Sequence, residues 1–245
     1  MNFALCSLVL GSEYKEKMKL CTQSQDDYVK KNGYSMIRDE SVYHKERAHS
    51  WSKIPLVQKY LGEYDYLMWI DADVMVMNDE RRIEDFIKLI PDDKFLFIGR
   101  DLNGLNAGVF IIKNCKESFT FLEKVWSKTE YLHHIWWEQA AIIDLYNSEY
   151  KDKIYVLPHK YISIFNAYDY RIDSKVHWKP GDFCIHFAGI HHPDILRQLQ
   201  IMYSQLKSND SSGTQRIENY TEEFLKITRS PLQHLSDSSE SRLNR

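Results

Sequence analysis

The stretch Tyr64-Asp65-Tyr66-Leu67-Met68-Trp69-Ile70-Asp71-Ala72-Asp73 decides the fold, because an apolar run ends there at two closely spaced carboxylates. The apolar run predicts a buried strand, since aromatic and aliphatic residues dominate it and polar residues Asn78-Asp79-Glu80 follow. Residues i and i+2 of a strand share one face, roughly 7 Å apart, so both aspartates should face the space at its carboxyl end. Acidic pairs in that position suit a divalent cation that carries a ligand's phosphates.

Direct binding of one ion by both aspartates requires a bend in this strand. Oxygen ligands lie about 2.1 Å from Mg²⁺, which two side chains on a straight strand cannot both achieve. We therefore expect one of Asp71 and Asp73 to bind the ion directly and the other to act through water or a ribose hydroxyl. Taken alone, the motif is explained equally well by an ordinary turn.

Length and composition indicate a globular protein. The chain has 245 residues, enough for one large α/β domain or two small ones with a substantial core. Its net charge of −3, with scattered Lys and Arg, argues against nucleic-acid binding. The four cysteines lie far apart without a C-x-x-C pair, so neither a zinc site nor a disulfide framework is predicted. Free buried thiols in a reducing compartment are the expectation.

The first residues lack the features of a signal peptide. The apolar segment Phe3–Leu10 is short, follows no basic region and runs directly into the charged segment Glu13–Lys17. No stretch approaches the roughly 18 apolar residues that indicate a membrane span. The sequence therefore predicts a soluble cytoplasmic protein without a membrane span.

Alternating apolar and amphipathic segments predict the secondary structure. Strands are predicted over residues 2–10, 34–38, 64–70, 94–99, 107–113, 154–157 and 182–188, and helices over residues 13–31, 55–61, 79–89, 116–127, 138–147 and 193–206. This alternation favours an α/β fold whose mainly parallel sheet is covered by helices on both faces. We expect residues 1–207 to form the catalytic domain. Residues 208–245 form a polar, largely flexible tail with room for one short helix.

A second short apolar strand, within Gly181–Gly189, carries a histidine. Cys184, His186 and Ala188 share one face of it, which places the imidazole among small neighbours with room for an ion. An imidazole beside carboxylates shifts metal preference from Mg²⁺ toward Mn²⁺. A hydrogen-bonded core histidine is the alternative, and this segment alone favours it.

Three other segments offer polar side chains. Asp101–Gly108 combines Asp and Asn, which can bind hydroxyl groups, with glycines that permit close backbone approach, although a tight turn explains Asn103-Gly104 equally well. Glu138 lies in the predicted first turn of a helix, where a carboxylate already has a structural role. Lys53 lies at the start of a predicted helix, where a lysine is usually solvated.

Together these motifs resemble those of family 34 of the glycosyltransferases. The resemblance covers about residues 3–192 and rests on motifs in the family's order: Asp71-Ala-Asp73, Asp101-x-Asn-Gly-Leu-Asn106-Ala-Gly108, Glu138-Gln139, Asn166-x-Tyr168 and Gly181-Asp-Phe-x-x-His186-Phe-x-Gly189. Upstream, Tyr28, Gly33-Tyr34 and Trp51-x-Lys53 are also similar to the family pattern. The resemblance implies a retaining α-galactosyl- or α-xylosyltransferase with a Rossmann-like GT-A fold.

Carried over by position, the resemblance implies a role for each matching residue. Asp71, Asp73 and His186 would hold Mn²⁺, with Mg²⁺ as the alternative, on the diphosphate of a UDP-sugar donor. The implied catalytic residues, at the donor sugar and its anomeric carbon, are Glu138, Gln139 and Asp101. The remaining implied contacts to the nucleotide sugar are Lys53, which would touch the diphosphate, and Ala72, Asn106, Gly108, Gly189 and His191.

The chain departs from the family pattern in three respects. Glu138 stands where family members commonly have Asp, so the carboxylate lies one methylene further out. Gly189-Ile190-His191 stands where they tend to have Gly-Cys-Lys, which replaces a phosphate-binding lysine with a titratable histidine. The usual Golgi anchor is missing from the sequence.

The sequence thus predicts a metal-dependent retaining transferase that moves galactose or xylose from a UDP-sugar to a carbohydrate or glycoprotein acceptor. A glycogenin-like transferase of family 8 shares Asp-x-Asp, the acidic-Gln pair and His-Phe-x-Gly, and a non-catalytic sugar-nucleotide binder is a further alternative. A nucleotidyltransferase would need a Gly-rich, basic phosphate loop after the first strand, and Leu10-Gly11-Ser12-Glu13 is not one.

Overall fold

A computed structural model describes residues 1–101, 104–158, 163–164, 178, 181–190 and 193–207. The chain divides into two compact units, Met1–Arg197 and Gln198–Arg245. The first contains every described strand. The predicted tail over residues 208–245 lies outside the described residues, so the boundary at 207/208 stays a prediction.

The described strands and helices follow in chain order. The strands are β1 (Phe3–Cys6), β2 (Ser35–Ile37), β3 (Tyr66–Ile70), β4 (Val74–Val76), β5 (Leu96–Asp101), β6 (Gly104–Lys113), β7 (Ile154–Val156), β8 (Ser163–Ile164) and β9 (Cys184–His186). The α-helices are α1 (Ser12–Lys17), α2 (Lys19–Asn32), α3 (Lys53–Tyr60), α4 (Ile83–Ile87), α5 (Lys116–Ser127), α6 (Trp137–Leu145) and α7 (Pro193–Lys207).

Six strands form the central sheet in the order β2-β1-β3-β6-β5-β7. Strand β1 pairs in parallel with β2 and β3, and β5 pairs in parallel with β7. Strand β6 runs antiparallel to both of its neighbours, β3 and β5. The mainly parallel sheet predicted from the sequence is therefore confirmed, with one reversed strand that the alternation pattern did not reveal.

Strand β3 is buried on both faces, as its continuous apolar run predicted. Leu67 and Trp69 belong to one cluster of buried hydrophobic side chains, whereas Met68 and Ile70 belong to another. Side chains of α3, α5 and α6 share the first cluster, and side chains of α2 and α4 share the second. Helices thus cover both faces of the sheet, in agreement with the predicted architecture.

Several predicted elements are shorter or divided. The predicted strand over residues 2–10 ends at Cys6, and the predicted helix over residues 79–89 extends only from Ile83 to Ile87. The predicted helix over residues 13–31 consists of α1 and α2, which meet at Met18, a buried residue with ψ of 7°. Among the described residues, no helix has both the length and the apolar composition needed to cross a bilayer.

A tight turn separates β3 from β4 and joins the two sheets of this unit. The amide N–H of Val74 donates to the carbonyl of Asp71 at 3.1 Å, so the chain turns through Asp71–Asp73 directly after β3. It then enters β4, which belongs to a smaller sheet of order β4-β9-β8. The predicted strand over residues 64–70 thus ends at Ile70 as expected, and Asp71 and Asp73 belong to a turn rather than to one face of that strand, because the chain continues into β4, which pairs with β9.

Helix α2 supports this turn with two buried polar side chains. Nε2 of Gln25 donates to the carbonyl oxygens of Asp71 and Val74, both at 2.9 Å. Oγ of Ser24 accepts from the N–H of Val76 at 2.9 Å. Because Gln25 is fully buried, these bonds replace water that the two carbonyls cannot reach. The amide of one glutamine therefore fixes both ends of the turn.

Replacing Gln25 with Leu should destabilise the protein. The substitution removes the amide donor from the buried Val74 carbonyl and from the Asp71 carbonyl, which keeps its bond from the Val74 N–H, and the loss should lower the free energy of unfolding by about 1–3 kcal/mol. Urea denaturation measures the change. Gln23→Leu on the exposed side of the same helix is the matched control and should change stability little. Equal urea midpoints for the two variants would contradict the role assigned to Gln25.

Candidate active site

Asp71, Asp73 and His186 lie together at the carboxyl end of β3. One ligand atom from each residue lies within 4.8 Å of the others. Nε2 of His186 lies 3.2 Å from Oδ1 of Asp73 and 3.9 Å from Oδ2 of Asp71. The histidine is buried, whereas the aspartates are half-buried and line a cavity. Two carboxylates and one imidazole form a donor set that fits a divalent ion such as Mn²⁺.

The turn and the smaller sheet together create this cluster. The turn brings both carboxylates close to one point and so supplies the bend that direct binding of one ion by both aspartates requires. The expected division into one direct and one indirect ligand stays a prediction. The register of β4 against β9 places Val74 opposite His186, directly beside the turn. Residues far apart in sequence therefore meet because one strand of the pair begins at the end of the Asp-x-Asp motif.

Burial and neighbouring charges shift the pKa values of Asp71, Asp73 and His186 in opposite directions. Burial raises the pKa of the Asp71 carboxyl, and the charge of Lys53 only partly opposes it. Burial would also raise the pKa of Asp73, but the charge and hydrogen bond of His186 outweigh burial and lower it. Burial would lower the pKa of His186, and Asp73 outweighs it, so that pKa is raised. The carboxylates thus attract positive charge to this point.

Gly108 of β6 allows the imidazole to lie where it does. A Cβ atom at this position would lie 2.5 Å from Nδ1 of His186 and closer still to Cε1. The carbonyl of Gly108 also accepts from the N–H of Asp71 at 2.8 Å. The sequence predicted a close backbone approach at Gly108, and the group that lies close to this backbone is the imidazole of His186. The contact of Gly108 with a donor sugar stays a prediction.

Lys53 forms a buried ion-pair cluster with Glu138 and with Asp71, one of the metal-ligand candidates. Its Nζ lies 2.7 Å from Oε1 of Glu138 and 3.2 Å from Oδ1 of Asp71, and it donates to the carbonyl of Ala107 at 3.1 Å. Burial lowers the pKa of Lys53, but Asp71 and Glu138 outweigh burial and raise it. The expectation of a solvated lysine was wrong. Its contact with a diphosphate stays a prediction.

Oδ1 of Asp71 has two partners, Trp69 and Lys53. Nε1 of Trp69 donates to Oδ1 of Asp71 at 2.7 Å, in addition to the ion pair with Lys53. Oδ2 is the oxygen that lies nearer to His186. These contacts fix the orientation of the carboxylate and direct Oδ2 toward the other two ligand candidates.

Helix α6 and strand β6 bring the remaining polar candidates together. Oε1 of Gln139 accepts from the N–H of Ala107, and Oδ1 of Asn106 accepts from the N–H of Gly108, both at 2.9 Å. Glu138 is buried, and within the part of the chain that the structure describes its Oε2 has no hydrogen-bond partner. A buried carboxylate oxygen without a donor is costly, which marks Glu138 as a group whose second partner comes from elsewhere.

Two cavities meet at the acidic pair. The first, of about 650 Å³, is lined by most of the predicted site residues: Lys53, Asp71, Asp73, Asn106, Gly108, Glu138, Gln139, His186 and Gly189. The second, of about 620 Å³, is lined by the predicted residue Ala72 and by Leu8 and Leu10, which follow β1. Asp71 and Asp73 line both cavities.

Some predicted residues cannot be placed in the site. Asp101 ends β5, but its side chain lies outside the described residues. His191, Asn166 and Tyr168 also lie outside them. The roles that the resemblance implies for these residues stay predictions.

Sequence reasoning overlooked Trp137, the first residue of α6. Its φ is +44°, a left-handed conformation that costs a non-glycine residue about 1–3 kcal/mol. The side chain is 44% exposed and lines both cavities. The pair Trp136-Trp137 directly before Glu138 is the sequence signal that could have identified it.

The sequence matches two family models and several characterised or named proteins. Residues 88–193 match the galactosyl transferase GMA12/MNN10 family, and residues 26–140 match a family of proteins of unknown function, DUF273. An alpha-1,2-galactosyltransferase of Schizosaccharomyces pombe is 27% identical over 229 residues, which cover 76% of this chain and 60% of that protein. Galactomannan galactosyltransferase 1 of Cyamopsis tetragonoloba is 27% identical over 173 residues, covering 64% of this chain and 37% of that protein.

A second Schizosaccharomyces pombe protein, named an uncharacterized alpha-1,2-galactosyltransferase, is 26% identical over 212 residues. These residues cover 68% of this chain and 54% of that protein. The chain therefore spans a little over half the length of the yeast relatives that it matches.

Solved structures confirm the predicted GT-A fold. A glycosyltransferase involved in glycosylation of the major capsid of PBCV-1 superimposes with a TM-score of 0.64 at 16% identity, covering 82% of this chain and 99% of that chain. The galactosyltransferase LgtC, in complex with donor and acceptor sugar analogs, superimposes with a TM-score of 0.52 at 13% identity, covering 86% and 96%. At these identities the likeness concerns the fold.

Replacing Gly108 with Ala should displace His186 and lower stability. The added methyl overlaps the imidazole, and overpacking of this kind costs about 1–3 kcal/mol. The double variant Gly108→Ala/His186→Ala removes the ring that the methyl strikes, so a double-mutant cycle should show coupling between the two positions. Gly62→Ala, at a glycine with open space around it, is the matched control. Additive changes in the cycle would contradict this packing account.

Proposed function

The matches support membership of glycosyltransferase family 34, and on that premise we propose that this protein is a metal-dependent, retaining transferase of galactose or xylose. Its donor would be a UDP-sugar, and its acceptor a carbohydrate or the glycan of a glycoprotein. The observation that carries the proposal is the Asp71–Asp73–His186 cluster at the junction of two cavities. Galactose is the first choice of sugar, because the yeast relatives are named as galactosyltransferases.

Charge supports a bound cation at this junction. A nucleoside diphosphate is an anion, and two carboxylates would repel it unless a cation lies between them. The nitrogen of His186 beside two carboxylates favours Mn²⁺ over Mg²⁺, which prefers oxygen ligands alone. When bound, the ion would offset the negative charge that develops on the departing diphosphate.

The two cavities suggest how the donor would lie. Ligands of open α/β sheets bind at the carboxyl ends of the strands, where Leu8 and Leu10 line the second cavity. We therefore assign the nucleoside to that cavity and the donor sugar to the first one. There the side chains of Asn106, Glu138 and Gln139 offer hydrogen-bond partners for sugar hydroxyls.

The surroundings of Glu138 favour front-face attack over a covalent intermediate. One oxygen of this carboxylate is paired with Lys53, which withdraws negative charge from it and weakens it as a nucleophile. In front-face attack, the bond between the anomeric carbon and the diphosphate breaks, the acceptor oxygen forms the new glycosidic bond on the same face, and an oxygen of the departing diphosphate accepts the proton of the acceptor hydroxyl. Glu138 then stabilises positive charge on the sugar without forming a bond to it.

Removing a metal ligand should abolish metal-dependent nucleotide binding. We expect Asp73→Ala and His186→Ala to lose the increase in UDP affinity that Mn²⁺ causes in the unaltered protein. Isothermal titration with UDP, with and without Mn²⁺, measures this, and circular dichroism checks that both variants fold. Asp92→Ala, an exposed aspartate outside both cavities, is the matched control. If Mn²⁺ raised the UDP affinity of Asp73→Ala as strongly as it does in the unaltered protein, the metal site would be wrong.

Replacing Glu138 with Gln should separate the two mechanisms. Under front-face attack, we expect kcat to fall by no more than about tenfold with the donor KM little changed, because no bond to Glu138 is lost. Steady-state kinetics with saturating acceptor measures both constants. A loss of several orders of magnitude in the kcat of Glu138→Gln, together with a glycosyl adduct on Glu138 of the unaltered protein detected by mass spectrometry, would instead establish a covalent intermediate.

A further inference from the structure

The loop before α6 presents apolar side chains at the mouth of the first cavity. Ile135 is 75% exposed and Trp137 is 44% exposed, and both line this cavity together with the half-buried Trp136. Another exposed hydrophobic side chain, Leu89, lies outside both cavities. Exposed aromatic and aliphatic groups at the mouth of a polar cavity are typical of a ligand contact.

Contacts within the loop hold the backbone of Trp137 in place. The N–H of Trp137 donates to the carbonyl of His134 at 3.0 Å, and the N–H of Trp136 donates to Nδ1 of His134 at 3.1 Å. The rings of Tyr131, His134 and Trp136 pack edge to face, with centroids 5.8 Å and 5.5 Å apart. Such contacts are what a bulky residue at φ +44° requires to persist.

The indole of Trp137 is not explained by the turn or by the core. Glycine adopts positive φ without steric cost, so the turn itself does not require a side chain. With 44% of its surface exposed, the ring contributes only in part to packing. A large aromatic surface that is part-exposed on a hydrogen-bonded backbone is suited to stacking against a ligand.

We propose that Trp137, with Ile135 and Trp136 beside it, is the platform on which the pyranose ring of the acceptor sugar stacks. This proposal rests on the glycosyl transfer proposed above and assigns the acceptor side of that same site. The C–H groups on one face of a pyranose pack against the electron-rich face of an indole. Its hydroxyl groups then lie within reach of polar side chains such as Glu138, the next residue in the chain.

The difference in burial between Glu138 and Trp137 supports the acceptor sugar, rather than the donor, as the ligand of this platform. Glu138 is 3% exposed and faces Lys53, whereas Trp137 immediately before it is largely open to solvent. A donor that occupies the buried part of the cavity leaves its open mouth for the second substrate. Trp137 lines both cavities, but Ile135 and Trp136 beside it line the first cavity and are absent from the lining of the second, so a nucleobase is the weaker candidate for the surface that the three residues form.

Three substitutions at Trp137 test the platform by kinetics. With UDP-galactose and methyl glycosides of glucose, galactose, mannose and xylose, we expect Trp137→Ala and Trp137→Gly to raise the acceptor KM by about tenfold or more. Trp137→Phe keeps an aromatic face and should retain most of the affinity. Trp137→Gly should also melt at a higher temperature than Trp137→Ala, because glycine adopts a positive φ without strain. A raised acceptor KM in the more stable Trp137→Gly variant then excludes misfolding as its cause. Leu89→Ala is the matched control for an exposed apolar residue.

A binding measurement keeps this test independent of turnover. The indole N–H resonance that disappears in Trp137→Phe identifies Trp137 by NMR. We expect it to shift when one of the four methyl glycosides is added in the presence of UDP and Mn²⁺. A resonance that none of the four sugars shifts would overturn the platform, as would a Trp137→Ala variant that loses UDP affinity to the same extent as acceptor affinity. Absence of transfer in the unaltered protein, with a shifted resonance, would contradict the proposed function and still support the platform.

Discussion

The hydrogen bonds from the Gln25 amide to the two ends of the Asp71–Asp73 turn are the interaction on which the candidate site depends. They let the chain leave a fully buried strand within three residues without leaving its carbonyls unpaired. Directly after the turn the chain forms β4, and β4 pairs with β9 in a register that places His186 beside the turn. Gly108 leaves room for the imidazole of His186, because a side chain at position 108 would occupy the same space. The metal-ligand candidates are thus produced by backbone geometry at the junction of two sheets.

Among the described residues that line the two cavities, the three carboxylates outnumber the two permanently charged cations, Lys53 and Arg47. Asp71, Asp73 and Glu138 contribute three carboxylates to the site, and Lys53 contributes one buried ammonium, which pairs with Asp71 and Glu138. Grouped carboxylates in a partly desolvated place are costly unless cations compensate them. His186, whose pKa is raised mainly by Asp73, can supply part of that charge as imidazolium. A divalent cation would supply it while the imidazole is neutral, and an anionic nucleotide could then lie against the same side chains.

Much of this architecture was predictable from the sequence, because its signals are local. The apolar run ending at Ile70 predicted the central strand, and the alternation of elements predicted a mainly parallel sheet with helices on both faces. The motifs also selected Asp71, Asp73 and His186, which the structure brings together. The sequence left a turn at Asp71–Asp73 as one of two alternatives and could not choose between them, since the turn depends on Gln25 from another helix and on the pairing of β4 with β9. Lys53 looked solvated because nothing near it in sequence reveals that Glu138 lies opposite, and the positive φ of Trp137 has no sequence signature.

Anomalous diffraction at the manganese absorption edge, from crystals of the full chain grown with UDP and Mn²⁺, tests the central claim most directly. The account predicts one strong peak bounded by side-chain atoms of Asp71, Asp73 and His186, at ligand distances of roughly 2.1 Å, with the UDP diphosphate on its open side. Nucleotide density in the two cavities without a manganese peak between these residues would contradict it. A peak held by other residues of the chain would contradict it equally.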